Sequence, residues 1–136
     1  MGNDLITRRS SRDGRPALSG KGAWAEELAC TELQARGLDL IERNFRMNCG
    51  ELDLVMRDSQ RLIFVEVRYR ASSRWGDGLA SVTRTKQQRL IRAANGYLRS
   101  HPRLRRLPCR FDVVSVGGTP DSPTIRWVQG AFVSSQ

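Results

Sequence analysis

The run Leu62-Ile63-Phe64-Val65-Glu66-Val67 constrains this chain more than any other stretch. Apolar residues occupy both of its alternating sets, the pattern of a strand covered on both faces. Glu66 interrupts it, with Arg68 two residues on and therefore on the same face. A carboxylate buried alone costs several kcal/mol. The position of Glu66 therefore implies a partner.

The stretch "GELDLVM", residues 50–56, predicts a second strand just before this one, joined to it by a tight turn at Asp58-Ser59-Gln60. Pairing the two around Ser59-Gln60 sets Met56 opposite Ile63, Leu54 opposite Val65 and Leu52 opposite Val67. That is one continuous apolar face, which is what specifies a register. On the other face Asp53 then lies opposite Glu66, and Glu51 opposite Arg68. Directly opposed side chains have Cβ atoms about 5 Å apart. Two carboxylates that close either raise a pKa or take a cation between them. Mg²⁺ prefers such a site: one or two carboxylates, with water completing the shell. The plainer account pairs Glu66 with Arg68 or Arg70 and gives Asp53 a backbone partner. A slip of one residue in register would also separate the two acids.

Periodicity predicts a helix over 23–36 that stops at Gly37, and a strand over 38–46. After the loop "ASSRWGDGLAS", a second helix is predicted over 84–99, with Leu90, Ile91, Ala94, Tyr97 and Leu98 at the helical period. "HPRLRRLP" is a basic connection broken by two prolines, and "RFDVVSV" and "TIRWV" supply two more strands. The order α-β-β-β-α-β-β predicts a mixed β-sheet core flanked by α-helices, a single domain over 20–132. Residues 1–19 read as a mobile basic tail.

In the first helix Trp24, Ala25, Leu28, Ala29 and Leu33 form the apolar stripe, and Glu26 lies at its edge, able to lean towards the sheet. In the second, Gln87 falls within the stripe and Lys86 on its border, both in the first turn, with Thr83 or Thr85 as N-cap. Lys86 either snorkels or joins the helix N-terminus in holding a phosphate.

The net charge is +9, and from Gly78 to Phe111 nine Arg or Lys residues occur with no Asp or Glu. Such a stretch points to polyanions. Lys21 and Lys86 are the only lysines, and the arginines suit bidentate contacts to phosphate. The three cysteines share no metal-ligand spacing and His101 is the only histidine, which argues against structural zinc. No signal-peptide pattern and no apolar run of about 18 residues occurs. The expected setting is cytoplasmic, away from any membrane.

Taken in order, Glu26, "GELDL", "FVEVRYR", the aromatic-glycine loop "RWGDG", Lys86 and "CRFDVV" strongly resemble the YraN family of bacterial proteins, over roughly residues 20–130. That family is placed in the restriction-endonuclease-like superfamily, beside archaeal Holliday-junction resolvases. The resemblance implies a restriction-endonuclease-like mixed sheet and a metal-dependent nuclease site. Its acid, Asp and Glu-x-Lys positions fall on Glu26, Asp53 and Glu66-Val67-Arg68. The superfamily lysine is thus Arg68 here. Arginine does not give up a proton, but it stabilises charge on a phosphate, and Lys86 is the candidate to supply the amine.

The implied activity is divalent-metal-dependent hydrolysis of structured or branched DNA, with DNA favoured over RNA. Glu26, Asp53, Glu66 and the Val67 carbonyl would hold Mg²⁺ or Mn²⁺. Arg68, Lys86 and Gln87 would orient water and offset charge. Arg70, Arg74, Trp75, Arg84, Lys86, Arg89, Arg103, Arg105 and Arg106 would grip nucleic acid by its backbone. Resolvases of this fold act as dimers, so a homodimer is compatible. Two alternatives stay open: a binding module of the same fold that has lost efficient cleavage, and a basic RNA- or ribosome-associated assembly protein.

Overall fold

The structure, a computed structural model, describes residues 20–70 and 82–134. The N-terminal segment 1–19 and the loop carrying Arg74 and Trp75 lie outside the described residues. Helix α1 (Gly20–Ala35) leads into strands β1 (Asp39–Met47), β2 (Gly50–Arg57) and β3 (Leu62–Arg70). Helix α2 (Arg84–Ser100) and a short 3₁₀ turn (Pro102–Arg106) precede β4 (Cys109–Thr119) and β5 (Ser122–Phe132). The strands form one five-stranded sheet in chain order. All neighbours are antiparallel except β3 and β4, which run parallel. A parallel pair needs a crossover, and α2 with the 3₁₀ turn provides it.

The two helices cover opposite faces of the sheet. Ala25, Ala29, Cys30 and Leu33 of α1 pack with Leu54, Met56, Ile63, Val65, Val114 and Val116. Leu90, Ala93, Ala94 and Tyr97 of α2 pack with Val55, Leu62, Phe64, Phe111 and Val113. This double cover explains the uninterrupted apolar run in β3, whose residues 62–65 are all buried. None of the described helices is long and apolar enough to cross a membrane.

Local chemistry sets the helix ends. Gly37 takes a left-handed conformation (φ 103°). Its N–H bonds the Gln34 carbonyl at 3.0 Å, and the Leu38 N–H bonds the Leu33 carbonyl at 3.0 Å. That pair of bonds is a Schellman close, and it turns the chain directly into β1. At the start of α2 the N-cap is Thr83, whose Oγ1 accepts the Lys86 N–H at 3.1 Å.

Gly50 serves a different need. A Cβ there would stand 2.7 Å from the Arg89 carbonyl oxygen, so the β1–β2 hairpin rests backbone to backbone on α2. Because the obstacle is main chain, Gly50→Ala must displace the hairpin or the helix. The expected cost is about 1–3 kcal/mol, as for overpacking. Urea denaturation will show a lower midpoint at unchanged slope, and an unmoved midpoint would refute the contact.

Candidate functional site at the parting of two strands

The β2–β3 ladder follows the predicted register through Arg57–Leu62, Met56–Ile63, Val55–Phe64 and Leu54–Val65, and ends there. The single apolar face expected beyond that point is not formed. Leu54 and Met56 belong to the α1-side core, whereas Leu52 belongs to the α2-side core. A strand that kept its pleat would place Leu52 and Leu54 on one face, so β2 rotates at Asp53. On the neighbouring strand Asn44 takes a positive φ of 54°. Paired β1 residues flank that point, with Arg43 opposite Leu54 and Phe45 opposite Leu52. Asp53 and Glu66 are therefore not a cross-strand ladder pair.

The gap brings the acids together by another route. The Asp53 Oδ2 accepts the Val67 N–H at 2.8 Å, standing in for the carbonyl that a continued ladder would supply. A strand residue's N–H and C=O leave on the same side, so the Val67 carbonyl faces this gap as well. Burial, with the charges of Glu66 and then Glu26 beside it, holds the Asp53 carboxyl well above the usual carboxylate range. The Val67 N–H only partly opposes that rise. Glu26 is itself buried, at 6% exposure, on the sheet-facing side of α1. By contrast Glu27 points outward to Arg43, 2.9 Å away. The charges of Glu66, Glu26 and, least, Glu51 thus act on Asp53 where β2 and β3 part.

Glu66 finds its partner on α2. Its Oε2 lies 3.4 Å from the Lys86 Nζ, with the glutamate side chain 12% exposed and the lysine 44%. Neither arginine of the plainer account supplies this contact. A cleft of about 250 Å³ opens here, lined by Glu66, Arg68, Val82, Thr83 and Lys86. Burial and the charge of Arg70 lower the Arg68 pKa, while Glu66 opposes the shift. Glu66, Arg68, Arg70, Lys86 and the exposed Arg84 therefore share one end of the molecule.

Other expected residues stand elsewhere or are occupied. The Gln87 side-chain amide donates to the Val82 carbonyl at 2.8 Å, which braces the chain entering α2. Arg103, Arg105 and Arg106 lie on the 3₁₀ turn after α2, beside the start of β3, where the Leu62 N–H bonds the Pro108 carbonyl at 2.8 Å. With α2 17 residues long, they are roughly 25 Å from its first turn. The structure does not bring them to the carboxylates. Arg89 faces a second pocket, described below. As the side chains stand, no group of three His, Cys, Asp or Glu among the described residues is placed to hold a metal ion.

One buried acid was legible only as part of a motif. Asp112, 1% exposed, accepts Arg110 Nε and Nη2 at 2.8 and 2.9 Å, Trp127 Nε1 at 2.8 Å and the Gly130 N–H at 3.0 Å. It sits where the β4–β5 register shifts; the bonds from Trp127 and Gly130 tie β5 to β4, and those from Arg110 come from its own strand. Its position in the sequence, within "RFDVV", does not announce that task.

Comparison with known proteins identifies the family. Residues 25–116 match the family described as uncharacterised protein family UPF0102. A UPF0102 protein of Nitrosococcus oceani is 48% identical over 112 residues, covering 82% of this chain and 90% of that protein. One from Stutzerimonas stutzeri is 47% identical over 113 residues, covering 83% and 94%. One from Pseudomonas aeruginosa is 45% identical over 132 residues, covering 94% and 98%. The matches span every element that builds the carboxylate gap. The chain therefore belongs to the UPF0102 family, the YraN proteins whose motifs its sequence resembles.

Proposed function

We propose that this protein is a restriction-endonuclease-like, divalent-metal-dependent endonuclease acting on structured or branched DNA. The observation that carries this reading is Asp53 held at the gap between β2 and β3 by the Val67 N–H, with buried Glu26 and Glu66 acting on it electrostatically, in a protein of net charge +9. Keeping like charges together in a half-buried place costs stability, and such clusters mark functional sites.

The donor set suits a hard cation: carboxylate oxygens of Asp53 and Glu66, with Glu26 and the Val67 carbonyl at hand. A bound Mg²⁺ or Mn²⁺ supplies a water of lowered pKa and a clamp on the scissile phosphate. Asp53 stays oriented by the Val67 N–H. Glu66 would exchange its Lys86 contact for the cation, which leaves the Lys86 ammonium for the phosphate. Arg68, in the same cleft, offsets charge that develops on the phosphate oxygens. Because no base-reading element is present in the sequence, substrate choice rests on shape and backbone contact. Two copies would suit a symmetric branched substrate, each cutting one strand.

A second reading is a nucleic-acid-binding module of the same fold without efficient cleavage. It is favoured by Arg68 at the lysine position and by the Glu66–Lys86 ion pair, which already neutralises one acid.

The test is incubation with branched, flapped and linear DNA, and with RNA, in Mg²⁺ or Mn²⁺. Metal-dependent cleavage of a branched substrate, lost in Glu66→Gln, is the expected result. Binding without cleavage that is indifferent to Glu66→Gln selects the module. Failure to bind DNA at low salt while binding structured RNA refutes both and leaves the assembly protein. An independent readout uses no substrate: millimolar Mn²⁺ should raise the melting temperature at neutral pH by mass action.

A further inference from the structure

We propose that the pocket between the β1–β2 hairpin and the first turns of α2 is a phosphate subsite. It would take a backbone phosphate of the same nucleic-acid strand whose neighbouring phosphate enters the carboxylate cleft. This rests on the nucleic-acid reading above but not on cleavage.

The pocket has a volume of about 460 Å³ and is lined by Arg46, Lys86, Arg89 and Arg92, with Glu51 as its one acid. Gly50 brings the hairpin against the Arg89 backbone, so strand and helix present their cations from two sides of one concavity. Arg46 is paired loosely with Glu51, at 3.8 Å. Arg89 and Arg92 form no ion pair among the described residues, and both are exposed on successive turns of α2. Guanidinium groups left unpaired and aimed into one pocket suit bidentate contact with a phosphate oxygen pair.

Lys86 joins the two sites. It lines both this pocket and the 250 Å³ cleft of Glu66 and Arg68. The two cavities are therefore adjoining compartments with a shared wall. A strand running along that wall presents one phosphate to each. Among the described residues, the basic 3₁₀ turn at the far end of α2 adjoins no such acid cluster, so its charge serves a general field.

The experiment measures binding of a fluorescent single-stranded oligonucleotide and of a branched duplex to the full chain, across a salt series without divalent metal. The near pair, Arg89→Ala with Arg92→Ala, is compared with a far pair, Arg103→Ala with Arg105→Ala, which removes the same charge. The near pair should weaken binding at least about tenfold and reduce the slope of log affinity against log salt by roughly 0.7–0.9, the share of the one phosphate the pocket takes. The far pair should cost less than about threefold, as expected of a long-range, salt-screened charge. Equal losses from both pairs, or no loss from the near pair, overturn the proposal. Cleavage of the branched duplex by the parent in Mn²⁺ is scored separately, so a failure of catalysis and a failure of the near-pair prediction are read from different measurements.

Discussion

Asp53→Asn is expected to melt at a higher temperature than the parent protein at neutral pH while losing metal-dependent cleavage. Burial and the charges of Glu66 and Glu26 raise the Asp53 carboxyl well above its ordinary value. A folded-state pKa above the unfolded one means the folded chain holds this proton more tightly. The stability gained from that proton is fully present below the ordinary aspartate range and is lost as pH rises through the raised folded value. At neutral pH the acid therefore costs the fold stability, and asparagine removes that cost. The amide oxygen of the substituted side chain can still accept the Val67 N–H that Asp53 now holds at 2.8 Å. A gain of only 1 kcal/mol would raise the midpoint of a chain this size by roughly 3–6 °C.

Cleavage should move the other way. Loss of groups that merely support metal ligands costs about 10–100-fold, so removal of a direct ligand should cost more than about a hundredfold. Thermal melts of both proteins across pH, beside the cleavage panel, check the pair of outcomes. The parent should lose stability on passing from acid to neutral pH relative to Asp53→Asn. A variant that is less stable at every pH would mean Asp53 is a structural acid, and the functional reading of the gap would fall. Opposite signs in stability and activity are what a site retained for chemistry predicts.

The second large effect concerns the fold alone. Asp112→Ala should destabilise the protein by about 3–5 kcal/mol, the cost of breaking a buried ion pair from one side. The substitution strands the Arg110 guanidinium, which is only 18% exposed, together with the Trp127 indole N–H and the Gly130 N–H. A loss that large lowers the melting temperature by roughly 10 °C or more. Asp112→Asn keeps an acceptor and should lose distinctly less. Denaturant midpoints for the two variants decide the matter. Equal, small losses would show that the four bonds contribute little. Neither variant should alter the affinity of the folded protein for nucleic acid, because Asp112 lines neither the cleft nor the adjoining pocket.

Sequence pattern alone determined the elements, their order and the β2–β3 register as far as Leu54–Val65. Period, turn chemistry and capping are local: Gly37 closes α1, Asp58 closes the hairpin turn by accepting the Gln60 and Arg61 N–H groups at 2.8 Å each, and Thr83 opens α2. The motifs around Glu26, Asp53 and Glu66 were legible for the same reason, since each is a short spacing on one element. Only the tertiary structure decided that β2 rotates at Asp53 and sends Leu52 to the other core. It also decided that Glu66 meets Lys86 rather than an arginine of its own strand, and that Asp112 accepts four bonds, two of them across to β5. The direction of α2 across the sheet set which arginines line a cavity adjoining the Glu66 cleft: Arg89 and Arg92 line the pocket that shares Lys86 with it, whereas Arg103, Arg105 and Arg106 lie beyond the helix's far end. These outcomes depend on sheet twist and on helix position over a crossover, which join residues far apart in the chain, and no local period encodes such distances.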